Sequence, residues 1–543
     1  MRRPVFICLL LITASGLLAQ GNSIFKYWIE FSDKDDTPFS TEQPGEFLSE
    51  RAIQRRLNQS IPISENDLPV DPAYVAEIEM IGGKTIHTSR WFNAMLYETA
   101  DSLDLDQIRI KEFVTNVHAM YWGEFSYFSP PNETKKSTSD EYFDYGLGEN
   151  QIHLHNGQRL HNEGFRGAGM IIAVLDGGFY YTDTLPAFDS LWANDQIILS
   201  KDFVHKGNNV FREHPHGMSV LSLMGGNIPG MLVGTAPEAD YMLLRSEDVN
   251  TEWRVEEINW IAAAEFADST GADVINTSLG YSLFNNEVQN YTTGDMDGNS
   301  TWVTRAADLA ASKGILVVSS AGNSGDDPWT IITSPADGDS VLAVGAVDSA
   351  GVYASFSSQG PTADGRIKPN VMAQGSLAYV QRTDGTVNKG SGTSYAAPIM
   401  AGLATCLWQR FPEKTNYEII KILEQSSSRY PYPNNKLGYG IPNMGVANDI
   451  ITSSRLRPSI AENNIYPNPV EDKIHLKLPE KDGRTVNVEI FDVSGKLQQS
   501  IPVRTIEENY ELVIHLNHQI TTGMYFVRIT TDNKAYTLRF IKK

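Results

Sequence analysis

The sequence predicts an α/β core, a parallel sheet covered by helices on both faces. A small α+β unit precedes it and an all-β sandwich follows it. Three patterns carry this. Between residues 151 and 450, continuous apolar runs of strand length alternate with helical segments, which is how a parallel sheet buried on both faces reads. Residues 20–120 mix short alternating strands with amphipathic helices. From residue 464 onward apolar residues recur with period two between turn signals, the mark of a β-sandwich. A chain of 543 residues has room for about three to four domains.

In order along the chain, Arg2 and Arg3 precede an apolar stretch from Val5 to Leu18, and Ala19 precedes Gln20. The run is short of the roughly 20 residues a spanning helix needs, so residues 1–19 read as a secretory signal peptide. In the unit 20–120, Ile24, Tyr27 and Ile29 mark a strand. Phe47, Leu48, Ile53 and Leu57 have helical spacing, as do Val75, Ile78 and Ile81. Two short strands are expected over 84–98 and another over 113–120. Residues 121–150 hold Ser129-Pro130-Pro131-Asn132 and a polar run, a linker composition open to proteases.

In the central domain, 151–450, strands are expected at Met170–Leu175, Tyr241–Leu244, Asp273–Thr277, Ile315–Ser319 and Val341–Ala346. Helices are expected over Val255–Ala267 and Thr301–Ser312. The last domain, 464–543, carries four alternating runs around Val488, Ile514, Val527 and Leu538, with turns at Ser494-Gly495, Thr522-Gly523 and Asp532-Asn533.

Composition narrows function. The net charge of −22 and a pI near 4.9 argue against a phosphate-binding protein, so no nucleic-acid partner is expected. The two cysteines are Cys8 and Cys406; signal cleavage leaves one thiol, so neither an internal disulfide nor a cysteine-based zinc site is expected.

Three segments of the central domain carry chemistry. Asp176-Gly177-Gly178 follows a buried strand. His214-Pro215-His216-Gly217 leads into a helical run. Gly390-Ser391-Gly392-Thr393-Ser394-Tyr395-Ala396-Ala397-Pro398 opens another helix. Taken singly, Asp176 reads as a turn residue, Ser394 as an N-cap, and a lone histidine as a satisfied surface or core residue; a metal shared by His214 and His216 lacks an evident third ligand. Together they supply a nucleophile, a base and an acid to orient the base. The order Asp…His…Ser is that of subtilisin, whereas an α/β-hydrolase runs Ser…Asp…His.

The central domain resembles the subtilisin-like serine proteases, the subtilases. Gly392-Thr393-Ser394 with Ala396, Ala397 and Pro398 resembles their serine motif closely. His216-Gly217 with Val220 resembles the histidine motif. Asp176 resembles the aspartate motif, although the family more often has Ser or Thr before a single glycine; the Gly177-Gly178 pair is expected to loosen that turn. The separations, 40 and 178 residues, fit the family.

The resemblance implies a secreted serine endopeptidase acting through an acyl-enzyme, with catalytic Asp176, His216 and Ser394. Asn323, in Ser319-Ser320-Ala321-Gly322-Asn323, is implied as oxyanion donor beside the Ser394 N–H. Ser278, Leu279, Gly280 and Gly322 are implied to bind the extended substrate. Gly234-Thr235-Ala236-Pro237, Phe356–Pro361 and Lys368-Pro369 also match recurring segments, which read as structural. The chemistry needs no cofactor.

The flanks extend the resemblance. Residues 20–120 take the place of a subtilase propeptide, with a stable accessory domain as the alternative. Ile465–Val470, Ile490–Lys496 and the ending Gly523–Ile529 with Phe540–Lys543 resemble the C-terminal sorting domain of the Bacteroidetes type IX (Por) secretion system. Composition alone equally permits a carbohydrate-binding module. The implied partners are polypeptide substrates, the chain's own propeptide and an outer-membrane secretion machinery. The implied location is outside the cell or on its surface.

Asp295, Asp297 and Asn299 place oxygens at alternate positions of a turn. They read as a structural calcium site or, equally, as an Asp-rich turn capping the Thr301 helix. Two other functions compete: a binding module that keeps the fold, and a lipase, which would need Gly-x-Ser-x-Gly where this chain has Ala396 in the last place.

Overall fold

A computed structural model describes residues 24–123, 143–205, 209–455, 465–477, 485–493, 495–505, 511–531 and 535–543. The signal-peptide reading of 1–19 and most of the expected linker, 124–142, lie outside them. The chain divides into two compact units at Ala447/Asn448.

The first unit begins with an antiparallel sheet in the order Lys84–Ser89, Ala94–Thr99, Ile24–Phe31, Val114–Gly123. The expected strands are there, and the last runs on to Gly123, three residues into the expected linker. Alternation along Ile24–Phe31 gives the sheet two apolar faces. Tyr27, Ile29 and Phe31 pack with Ile78, Met95, Tyr97 and Ile108. Trp28, fully buried, joins the other cluster with Ala94, Leu96 and Met120, among residues of helices Val255–Thr270 and Trp302–Ser312 of the central domain. Its ring lies 6.2 Å from Trp302, edge to face.

A buried ionic knot reinforces this contact. The helix Glu50–Asn58 is capped by Ser49, whose side chain accepts from the Ala52 N–H, and carries Arg55 and Arg56 in its last turn. Both guanidiniums reach Asp268 on the central helix, Arg56 at 2.9 Å, and Arg90 reaches it at 2.5 Å. Burial opposes the Asp268 charge, but the three arginines outweigh it and hold the carboxyl below the usual range. Arg56 also meets Asp67 at 2.8 Å, and Lys313 closes on the same Asp67 at 3.2 Å.

His87 lies on the same face, its Nε2 2.8 Å from the Phe203 carbonyl oxygen. Burial lowers its pKa to about 4. A histidine kept neutral by docking favours the docked form fully above its free value near 6.5, and that contribution is lost as pH falls toward 4. Asp268 has the same sign, but its pairing is lost only at lower pH, below the ordinary carboxylate range. The N-terminal unit is therefore expected to release between pH 6.5 and 4. Native gels of an uncleaved and a nicked sample across this range check it, and undiminished association of the nicked pieces at pH 4 contradicts it.

The central sheet has seven parallel strands in the order Val371–Gln374, Leu342–Val347, Leu316–Ser320, Val274–Thr277, Ile171–Asp176, Asp240–Arg245, Ile197–Asp202. Five are the expected strands. The other two are the edges: one has only four residues and the other ends in polar Ser200-Lys201-Asp202, so neither reads as a long apolar run. Strand order reverses at Ile171–Asp176, with later strands added first on one side and then on the other. The carboxyl ends of strands at such a switch point leave an open crevice, and Asp176 stands there.

Helix Thr393–Arg410 is buried from Thr393 to Trp408. Gly402 lets it approach the Gly234–Pro237 segment: a Cβ there would lie 2.0 Å from Thr235 Oγ1. Cys406, on the same helix, is buried and bonds the Thr235 carbonyl oxygen at 3.2 Å; burial pushes its thiol pKa far up, so it is not a nucleophile at neutral pH.

The second unit contains a three-stranded sheet (Ile465–Tyr466, Lys473–Lys477, Glu511–His515) and a four-stranded sheet (Leu497–Thr505, Thr485–Asp492, Gly523–Thr531, Ala535–Lys542). One cluster joins them: Ile474 and Ile514 from the first, Val488, Ile490, Val527 and Ile529 from the second. That is the expected sandwich. Its two terminal motifs meet, since Val470 N–H donates to the Ile541 carbonyl oxygen at 2.7 Å and Asn468 Oδ1 accepts from the Ile541 N–H at 2.9 Å.

Candidate functional site

Asp176 ends its strand fully buried, and Gly177 N–H donates to its Oδ1 at 2.7 Å. His216 opens the helix His216–Gly225. Its Nδ1 lies 2.9 Å from Asp176 Oδ1 and 3.0 Å from Oδ2. A carboxylate acceptor selects the Nδ1–H tautomer, which leaves Nε2 as the basic nitrogen. Burial of the ring works against its charge, but Asp176, through both its charge and its hydrogen bond, outweighs that and holds the His216 pKa above the ordinary imidazole value.

The glycines near this pair are required by close approach. A Cβ on Gly217 would lie 2.5 Å from the Gly178 carbonyl oxygen and 2.8 Å from Asp176 Cβ, and one on Gly178 would lie 2.4 Å from the His214 nitrogen. The Gly177-Gly178 turn is thus packed against the histidine segment. His214 is exposed and stacks beside His216 at 6.4 Å, with Tyr395 on His216 at 6.3 Å.

Ser394 is the second residue of its helix. Pro398, four residues on, has no N–H and cannot bond the Ser394 carbonyl oxygen. Ser278 Oγ fills that vacancy, donating to it at 2.9 Å. Ser394 Oγ in turn donates to the Ser278 carbonyl oxygen at 3.2 Å. The pair of bonds ties the start of the helix to the end of strand Val274–Thr277. The hydroxyl points to Ser278, not to His216.

Asn323 is held by its oxygen: Oδ1 accepts from Thr393 N–H at 2.8 Å and from Thr393 Oγ1 at 3.0 Å. The backbone donor fixes the amide orientation and frees Nδ2. A Cβ placed on Gly392 would lie 3.7 Å from Ser394 N and 3.8 Å from Asn323 Nδ2, so both donors border one space. Gly322 has φ +105, and a Cβ on it would press on Ser358 Oγ at 2.8 Å and Thr333 Oγ1 at 2.9 Å. Its N–H donates to Thr393 Oγ1 at 3.2 Å.

Asp176 with His216 forms one bonded group and Ser394, Ser278, Thr393, Asn323 and Gly322 another; Tyr395, next to Ser394 in the chain and stacked beside His216, brings the two together. Leu279 is buried and Gly280 exposed beyond Ser278; a Cβ on Gly280 would lie 2.3 Å from Thr333 Oγ1. Asp295, Asp297 and Asn299 lie in a turn of their own. Asp295 Oδ2 accepts from Thr292 N–H and Oγ1, both at 2.7 Å. Asp297 Oδ1 accepts from Asn299 N–H and Ser300 N–H, both at 2.8 Å, and its Oδ2 from Ser300 Oγ at 2.9 Å. Thr301 caps the following helix.

Sequence reading missed two contributors. Thr393 positions Asn323 and stood in view inside the serine motif, without a pattern to give it that role. Glu247 is close enough to raise the His216 pKa; nothing in Ser246-Glu247-Asp248 marks it apart from any acidic loop.

Three segments match known families. Residues 167–440 match the Subtilase family, residues 26–138 the Peptidase S8 propeptide domain of Bacteroidota, and residues 464–543 the secretion system C-terminal sorting domain. The chain therefore carries a propeptide domain and the address for type IX secretion. Among the described residues no helix is long and apolar enough to cross a membrane. Subtilisin E of Bacillus subtilis (strain 168) is 32% identical over 286 residues, 52% of this chain and 65% of that one. Serine protease AprX of the same organism is 30% identical over 306 residues, 51% of this chain and 64% of that one. Subtilisin of Bacillus pumilus is 31% identical over 274 residues, 50% of this chain and 87% of that one. The match thus spans about two thirds of the first two relatives' length. With half of its length on the family model and a fold of seven parallel strands around Asp176, the chain belongs to the subtilase family.

Proposed function

We propose that the chain is a secreted serine endopeptidase that cleaves peptide bonds through Asp176, His216 and Ser394. The observation that carries this is the His216 ring held by both Asp176 oxygens and brought by Tyr395 to Ser394 and two donors that border a common space. In the reaction the Ser394 side chain turns from the Ser278 carbonyl oxygen toward His216 Nε2. His216 takes the proton as Oγ attacks the peptide carbonyl, and Asp176 stabilises the imidazolium. Asn323 Nδ2 and the Ser394 N–H receive the oxyanion. His216 then gives its proton to the leaving amine, and water activated by the same ring releases the acyl group. Ser278, Leu279 and Gly280 pair with the substrate backbone, beside Gly322. The N-terminal unit is a propeptide removed by a cut within 121–150, and the C-terminal domain engages the outer-membrane secretion machinery.

The test is Asn323→Ala. It removes one oxyanion donor, which in subtilisin itself is worth about 10²–10³ in kcat. The same loss is expected here with KM nearly unchanged. A fall of less than about threefold, on the order of 0.7 kcal/mol, removes Asn323 from the reaction.

The pH profile follows from His216. The base acts when neutral, and its pKa stands above the ordinary value. kcat/KM is therefore expected to rise with pH through a limb above 6.5. Full activity at pH 4 contradicts the assignment. The Asp295–Ser300 segment is a hydrogen-bonded turn before the Thr301-capped helix, in which Asp295 Oδ2 and both Asp297 oxygens accept turn hydrogen bonds; calcium at Asp295, Asp297 and Asn299 stays the second reading.

A further inference from the structure

A second group of acids lies next to the site, and only Glu247 bears on the chemistry above, through the His216 pKa. Ser246 N–H donates to the Asp176 carbonyl oxygen at 3.0 Å, so the chain leaves the catalytic strand region directly into Glu247. Glu247, Glu252 and Glu256 then each bring a carboxylate oxygen within 4.8 Å of the others. Oxygens bound about 2.4 Å from one hard cation stand at most about 4.8 Å apart. Glu256 is fully buried, and among the described residues its Oε2 has no hydrogen-bond donor, while the Glu252 carboxyl stands within hydrogen-bond reach of its side chain. The other Glu256 oxygen accepts from Thr251 Oγ1 at 3.2 Å, and Tyr281 Oη donates to Glu247 Oε2 at 3.5 Å.

Lys26 stands near enough for its charge to act on Glu256, but no arginine or lysine among the described residues pairs directly with the three. Among the described residues none comes within 4.0 Å of them. Arg245 is spent on Asp202 at 3.0 Å, Glu213 at 3.5 Å and Asp248 at 3.9 Å, and Lys26 faces Glu98 at 3.8 Å. A buried carboxylate without a partner costs several kcal/mol. Burial first, then mutual repulsion, raises the Glu247 and Glu256 pKa values, Glu247 to about 8.

We propose that Glu247, Glu252 and Glu256 bind a hard divalent cation, calcium by the all-oxygen donor set, beside His216. The ion supplies the charge the pocket lacks and anchors the loop 247–254 to the first turn of helix Val255–Thr270. This site is separate from the Asp295–Asn299 turn, where Asp295 Oδ2 and both Asp297 oxygens already have donors. The inference stands on these carboxylates alone and is independent of the proposed activity.

The experiment uses the chain without residues 1–19 and with Ser394→Ala, so that no self-cleavage intervenes. Metal-free protein is titrated with Ca²⁺ while thermal unfolding and Tb³⁺ luminescence are followed. Ca²⁺ at a hundredfold excess over Kd is expected to raise Tm on the order of 5 °C. Glu256→Gln and Glu252→Gln are each expected to weaken binding at least tenfold. Without Ca²⁺, both are expected to melt no lower than the parent, because each relieves crowding among the three carboxyl groups; a merely structural role would lower them. If Glu256→Gln fails to fold, Glu252→Gln carries the same readout. The proposal falls if Ca²⁺, Mg²⁺ and Mn²⁺ at millimolar concentration leave Tm unchanged. It also falls if the shift survives Glu256→Gln and disappears in Asp297→Asn.

Discussion

Ser394→Ala is expected to lower kcat on the order of 10⁶-fold, the size found when the nucleophile of subtilisin itself is removed. The folded chain should survive the change. The hydroxyl makes one hydrogen bond, to the Ser278 carbonyl oxygen at 3.2 Å, so its loss costs about 1 kcal/mol. The Ser394 carbonyl oxygen keeps its donor, Ser278 Oγ. The variant is therefore expected to melt close to wild type, to remain at full length, and to leave casein uncut. Gel mobility and intact mass during maturation measure this. Self-processing by the variant at the wild-type rate would show that another residue, or another protease, makes the cut.

The largest effect on stability is expected from Asp268→Ala. Three guanidiniums converge on this fully buried carboxylate, and Arg55 and Arg56 are buried with it. Removing one partner of a buried pair leaves uncompensated charge and costs about 3–5 kcal/mol. Here the cost falls on the joint between the N-terminal unit and helix Val255–Thr270. Asp268→Ala in the Ser394→Ala background should therefore unfold at lower denaturant and expose the N-terminal unit to added protease. Arg90→Ala should do less, because its guanidinium is the most exposed of the three and two arginines remain. A loss below about 1 kcal/mol for Asp268→Ala would show that the joint rests on apolar contact around Trp28, not on the knot.

Much of this was legible in the sequence. Strands such as Ile171–Asp176 are buried on both faces, so they read as unbroken apolar runs, and the proposed catalytic residues sit in short segments that carry their own pattern. The sandwich showed through period-two alternation, because only one face of each sheet meets the core. Edge strands were hidden: Ile197–Asp202 is half polar and Val371–Gln374 is four residues long. The direction of the Ser394 hydroxyl was hidden too, as was the role of Pro398 in freeing a carbonyl for Ser278; both depend on two segments meeting in space. The Arg55, Arg56 and Arg90 knot could not be read, since arginines on a short helix and a turn look like an exposed face until Asp268 arrives from about 200 positions along the chain. The same is true of Glu247, Glu252 and Glu256, which read as loop acids and helix start.

The central claim is that Ser394 becomes a nucleophile through His216 and Asp176. The most direct measurement treats the matured protein with an organophosphonyl fluoride and locates the adduct by peptide mass spectrometry. The account predicts one phosphonyl group per chain, on Ser394, formed at a rate that falls by orders of magnitude in His216→Ala and is absent in Ser394→Ala. An unlabelled Ser394 in folded wild-type protein, or an adduct that forms equally fast without His216, would contradict it.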